Sequence, residues 1–156
     1  MSEKTDKPQA DIAVNRRARA DYTILETLEA GIALTGPEIK SVRERRVNIA
    51  EAYAQVRGGE LWLLNCHISP YQAAGHYGQQ DPARPRRLLL RKTQTARLGL
   101  EASRQRLTII PLRLYIKGHL AKVEVGLARG RRKYEKRDVI EKREAEREMG
   151  RELKLR

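Results

Sequence analysis

Residues 107–128 read Leu-Thr-Ile-Ile-Pro-Leu-Arg-Leu-Tyr-Ile-Lys-Gly-His-Leu-Ala-Lys-Val-Glu-Val-Gly-Leu-Ala, and this stretch decides the fold. Ile110, Leu112, Leu114 and Ile116 recur at every second position, and so do Ala121, Val123, Val125 and Leu127. A period of two places each set on one face of a half-buried strand. Gly118-His119 between them supplies the turn of a hairpin, because glycine enters the left-handed region that tight turns need. Pro111 falls on the opposite face of the first strand. It has no N–H to give to a ladder, which predicts an edge or a bulge there.

Working outward, Ala52–Arg57 and Glu60–Leu64 flank Gly58-Gly59, a second hairpin signal. Tyr22, Ile24 and Leu28 alternate with Thr23, Leu25 and Thr27 between Asp21 and Glu29. After Ala30-Gly31, Ile32-Ala33-Leu34 forms another short strand or continues the first past a bulge. Leu88-Leu89-Leu90 adds a further apolar run. Thr35-Gly36-Pro37-Glu38 is a helix start, with Pro in the first turn and Glu at the positive end, and this short helix is expected to close at Asn48. Thr95–Ser103 suits one more helix. Three prolines and two glycines punctuate 65–87, where His67–Tyr71 reads as an ordered crossing and Gly75–Gln80 as an exposed loop. The expectation is a mainly β protein: about six antiparallel strands curled into a small OB-like barrel, flanked by short helices.

Three regions follow: a disordered extension over 1–14, the barrel over 15–128, and a basic tail over 129–156. In the tail Arg143, Arg147 and Arg151 form one ladder and Glu144, Glu148 and Glu152 the next, so Glu144–Arg147 and Glu148–Arg151 can pair. Val139, Ala145, Met149 and Leu153 make a thin apolar stripe. A helix so polar buries little, so the tail is expected to be largely unfolded alone and helical when a partner holds it.

The formal net charge is +13 over 156 residues. Twelve Lys and Arg face seven Asp and Glu from Arg129 onward, and twenty-one face thirteen before it, so body and tail are both basic. That distribution favours nucleic acid over an anionic membrane. The clusters are Arg16, Arg17 and Arg19, then Arg84, Arg86 and Arg87, then six cations within Ala128–Arg137. With no Phe, one Trp and six Tyr, a platform that stacks successive bases is disfavoured against recognition of shape and phosphate. Cys66 stands alone, no apolar run suits a bilayer, and no signal peptide opens the chain, so a cytoplasmic monomer without metal or cofactor is expected. His67, His76 and His119 lie far apart, there is no phosphate-binding Gly-Lys-Ser/Thr loop, and Gly58-Gly59 is followed by Glu60. No catalytic constellation can be assembled, so the expectation is a non-enzyme.

Asn15-Arg16-Arg17-Ala18-Arg19 with Tyr22, Glu29-Ala30-Gly31, and Gly36-Pro37-Glu38-Ile39-Lys40-Ser41 together resemble the SsrA-binding protein (small protein B) family. The resemblance continues through His67–Tyr71, Asp81-Pro82, Arg84 with Arg86–Leu90, Pro111-Leu112, Tyr115, Lys122-Val123 and the tail. It implies an OB-like barrel that binds the tRNA-like domain of transfer-messenger RNA and enters stalled ribosomes for trans-translation. The RNA-contact positions it implies are Asn15, Glu29 and Leu89, beside Arg16, Arg17, Arg19, Lys40, Arg84, Arg86 and Arg87. It also implies that Gly130, Arg131, Arg132, Lys133, Tyr134, Lys136 and Arg137 reach the decoding centre and the empty mRNA channel. A ribosomal protein or a general OB-type RNA-binding module is the alternative.

Overall fold

The computed structural model describes residues 11–71, 81–131 and 133–154; within the last span the side chains of 133–136, 138 and 152–154 are outside the description. The elements run β1 (Asp11–Val14), α1 (Ala18–Asp21), β2 (Tyr22–Ile32), α2 (Gly36–Arg43), β3 (Val47–Asn48), β4 (Tyr53–Arg57), β5 (Glu60–Leu64) and β6 (His67–Ile68). Then come β7 (Arg86–Leu89), α3 (Lys92–Gln105), β8 (Thr108–Lys117), β9 (Leu120–Gly130) and α4 (Lys133–Lys154).

The sheet order is β1-β8-β4-β5-β7-β2-β9, and β9 pairs back onto β8. Six antiparallel strands therefore close on themselves, and β1 adds to the outside of β8. Closure removes the free edges that an open sheet of this size would leave. β3 and β6 form a separate two-stranded pair. Ala30, Leu61, Leu63, Leu88, Leu114, Val123 and Val125 fill the barrel, each at most 2 % exposed. The predicted six-stranded OB-like barrel is the observed one.

The hairpin of β8 and β9 turns at Gly118, with φ +65°. The inward set of β9 is as expected: Ala121, Val123, Val125 and Leu127 all enter the main core. β8 departs from expectation. Its register against β9 shifts between Pro111 and Arg113, so Leu112 is an extra residue in the ladder. A one-residue slip moves side chains to the other face. Leu114 and Ile116 thus join the main core, whereas Ile110 and Leu112 pack outside it with Ala18 and Ala128. The bulge that Pro111 predicted is real, but it divides the apolar set that periodicity had placed on one face.

β2 is one continuous strand, with its irregularity at Leu25 rather than at Ala30-Gly31. α2 begins with a capping box: Glu38 N–H donates to Thr35 Oγ1 at 3.3 Å, and Thr35 N–H donates to Glu38 Oε1 at 3.0 Å. α2 ends at Arg43, sooner than Asn48, because Arg45 takes up positive φ (63°) and turns the chain into β3. α3 spans Lys92–Gln105, longer than predicted, buries Leu98 and packs against β4, β5 and β8. Arg97 ties it to β2 through Glu26 at 2.6 and 2.8 Å.

One expected boundary changes. Asp11–Val14, placed in a disordered extension, is a strand antiparallel to β8, with Ile12 and Ala13 packed on the core. Too few residues alternate there for a period to show. The tail is the 22-residue helix α4, which touches the body at α1. Gly75–Gln80 lies outside the described residues.

Candidate nucleic-acid interface

Strand register builds the exterior face. Gly31 of β2 stands opposite Leu89 of β7 on one side and Lys122 of β9 on the other, and Lys122 stands opposite Tyr115 of β8. Directly paired residues share a face, so Leu89, Gly31, Lys122 and Tyr115 form one row across four strands. Two residues along β2, Glu29 stands opposite Glu124, which stands opposite Arg113. Glu29 and Leu89, 60 residues apart in sequence, thereby meet on one outer surface. Gly31 lacks the side chain that would separate them: a Cβ there would lie 3.3 Å from Leu89 Cβ. Leu89 is 48 % exposed.

Glu29 is held in place. The Tyr115 hydroxyl donates to its Oε2, and Lys117 Nζ lies 3.8 Å from Oε1. The tyrosine hydrogen bond, more than the nearby lysines, holds the carboxyl below the usual range. Burial and the carboxylate together push the Tyr115 hydroxyl up, so it stays a proton donor. Arg113 lies over the Tyr115 ring, 4.4 Å from its centre, and pairs with Asp11 and Glu124 at 2.8 Å each. An ionised, oriented carboxylate beside an exposed leucine can accept from base amino groups or ribose hydroxyls while the leucine takes an apolar contact. Arg113, Tyr115, Lys117 and Lys122 were not among the predicted contacts. Their signal was the polar face of the two clearest strands.

Arg16, Arg17 and Arg19 are exposed on the turn and helix between β1 and β2. Asn15 differs from expectation: only 8 % exposed, it donates from Nδ2 to the Pro111 carbonyl at 3.1 Å, and its N–H donates to the Leu112 carbonyl at 2.8 Å. It sews the end of β1 to the bulge of β8, and its Oδ1 is buried without a partner among the described residues.

The second basic cluster separates. Arg86 is fully buried, with Nε donating to Glu38 at 2.6 Å, Nη1 to the Cys66 carbonyl at 2.6 Å and Nη2 to the Pro82 carbonyl at 3.0 Å. It is an internal strut and not a surface contact. Arg84 also grips Glu38, through Nε at 3.2 Å and through Nη2. Burial pushes the Glu38 carboxyl up, but the Arg84, Thr35 and Arg86 donors outweigh it and hold it below the usual range. Arg87 is exposed and pairs with Glu60 at 3.2 Å. Lys40 is exposed on α2, 5.4 Å from the Tyr71 ring centre. Burial raises the Cys66 thiol to about 11, which keeps it protonated and inert.

At the root of the tail, Gly130 ends β9 opposite Tyr22. Arg131 is anchored: its N–H donates to the Asp21 carbonyl at 2.8 Å and its Nε to the Tyr22 carbonyl at 3.2 Å. Arg132 lies outside the described residues, as do the side chains of Lys133, Tyr134 and Lys136, while Arg137 is exposed on α4.

A closed OB-like barrel with an oriented carboxylate on its outer face, arginines around it and a cationic helix at its end defines a polyanion-binding protein. The family model described as SmpB protein matches residues 12–155. An SsrA-binding protein of Levilactobacillus brevis is 50 % identical over 99 % of both chains. Another from Roseiflexus sp. (strain RS-1) is 52 % identical over 93 % of this chain and 92 % of its own. A solved structure described as "tmRNA-SmpB: a journey to the center of the bacterial ribosome" contains a chain 43 % identical to this one. It superposes with a TM-score of 0.65, covering 86 % of this chain and 95 % of that one. The chain belongs to the SmpB family.

Proposed function

We propose that this protein binds the tRNA-like domain of transfer-messenger RNA and delivers it to stalled ribosomes for trans-translation. The RNA contact is the face of β7, β2, β9 and β8 around Glu29 and Leu89, flanked by Arg16, Arg17 and Arg19. The segment Gly130–Arg137 and the rest of α4 form the arm that enters the decoding centre and the empty mRNA channel. The protein acts in the cytoplasm as a non-catalytic adaptor: its work is positioning, and no bond is made or broken by its side chains. Arg84 braces Glu38 with the buried Arg86 as support, Lys40 stands exposed on α2, and these cations contribute positive potential more than contact.

The observation that carries this reading is the near full-length similarity to SsrA-binding proteins, combined with the Tyr115-oriented carboxylate of Glu29 on an open face. No helix among the described residues is long and apolar enough to cross a membrane. The test is capture of the tagged protein from cells with stalled ribosomes, followed by sequencing of bound RNA. Transfer-messenger RNA should dominate. Ribosomal RNA without it would favour the general RNA-binding module instead.

A further inference from the structure

Between the body and α4 lies a groove of about 400 Å³, lined by Val14, Arg16, Arg19, Arg113, Arg143 and Arg147 among others, with Glu124 the one acid among its described residues. Glu124 is already taken, since Arg113 Nε donates to it at 2.8 Å and Arg113 also pairs with Asp11. The remaining four arginines make no ion pair with any described residue. The Glu144–Arg147 and Glu148–Arg151 pairs that the sequence spacing allows are not made. Arg143 Nη1 instead reaches the Arg16 carbonyl at 3.5 Å, a long and weak hydrogen bond.

Four guanidinium groups with no ion-pair partner among the described residues line one groove, and like charges held together repel each other. One neutral hydrogen bond of this length does not offset that. α4 has little apolar surface to offer: its mid-part residues from Arg137 to Arg151 are exposed or only half-buried where described. A dianionic or diester phosphate does offset it, because guanidinium forks match phosphate oxygens in pairs and the bonds are charge-assisted. We propose that this groove is a phosphate site shared between barrel and tail: a phosphate seats between Arg16 and Arg19 on one side and Arg143 and Arg147 on the other, and clamps α4 to the body. Tail docking and phosphate binding are then linked, each strengthening the other by the same factor. The inference deepens the proposed function, since Arg16 and Arg19 flank the proposed RNA contact and Arg143 and Arg147 lie on the arm, while the site itself asks only for a phosphate, from an RNA backbone or free in solution.

The test uses the full-length chain carrying L120C and E146C, both at exposed positions, with spin labels attached; the buried Cys66 takes no label. Inorganic phosphate should narrow the label-to-label distance distribution, while sodium chloride at matched ionic strength should not. An eight-residue oligouridylate should act at lower concentration than inorganic phosphate if the natural ligand is RNA backbone; response to inorganic phosphate alone assigns the site to the free ion. R143Q with R147Q should abolish the narrowing and weaken phosphate binding about tenfold, with the melting temperature unchanged. Equal narrowing by chloride, or a phosphate response that survives the double substitution, overturns the proposal. Transfer-messenger RNA capture by the same double variant separates this result from the functional reading.

Discussion

The Tyr115 hydroxyl donates to the Glu29 carboxylate across the outer face of the barrel, joining β8 to β2 over the intervening β9. Such a bond fixes the direction of a side chain that would otherwise rotate freely at a half-exposed position. Glu29→Ala is expected to weaken binding to the tRNA-like domain by roughly tenfold or more, as for loss of a hydrogen bond to a charged group. Tyr115→Phe should lose less, because the carboxylate remains but is no longer aimed. Isothermal titration with the isolated RNA domain measures both, and unchanged affinity in both would remove Glu29 from the interface.

Arg86 joins β7, α2 and the chain near Cys66 through one buried guanidinium. Removing it leaves Glu38 with Arg84 as its one arginine partner and takes the buried donor from the Cys66 and Pro82 carbonyls, at a cost of about 3 kcal/mol, the lower end of what breaking a buried ion pair costs. Arg86→Ala should therefore lower the urea midpoint strongly, while the fraction still folded binds RNA as before. Arg87→Ala, on the exposed face of the same strand, should leave the midpoint nearly unchanged.

Acid should act through the same centre. The folded Glu38, Glu29 and Glu26 carboxyls all lie below their usual 4.5. The unfolded chain takes up these protons first, so the stabilisation is complete above about 4.5 and is lost as the pH falls through the lower folded values. Thermal melts between pH 6 and pH 3 should show this fall. Glu38 is the least exposed of the three and should carry the largest share; in Glu38→Gln the slope should flatten, from a lower starting stability.

Gly126 faces the second apolar cluster, where a Cβ would lie 3.1 Å from Leu112 Cδ1 and 3.3 Å from Ile24 Cγ2. Gly126→Ala is expected to destabilise the fold by about 1–3 kcal/mol through overpacking. Gly36→Ala has no atom within 4 Å of the added carbon and should be close to neutral. Chemical denaturation of the two variants side by side decides whether the bulge-side cluster is tightly packed.

Truncation after Arg131 keeps the pairing of Gly130 with Tyr22 and the Arg131 anchor to Asp21. The shortened chain should keep most of its affinity for the tRNA-like domain. It should fail in tagging assays on stalled ribosomes, because the arm is gone. Loss of RNA binding by more than tenfold would place the main contact in α4 instead of on the barrel.

Local chemistry made much of this protein legible. Gly118-His119 and Gly58-Gly59 define hairpins by backbone freedom alone, Thr35 and Glu38 define a helix start, and the alternation in 121–127 marks a buried face. Each depends on residues within a few positions of one another. Glu29 and Leu89 came from motif resemblance, and strand register then set them on one surface. The failures share another cause. Arg84, Arg86 and Arg87 look alike as a basic cluster, yet one is buried, one braces a carboxylate and one is open to solvent. Whether a cation is free for a phosphate depends on an acid 46 or 48 residues away, Glu38, which no local pattern reveals. Sequence alone determined the two hairpins, the start of α2 and the basic character; the tertiary structure alone decided which charges are spent inside the fold and which remain for a partner, because charge pairing is a long-range contact made only once the chain has closed.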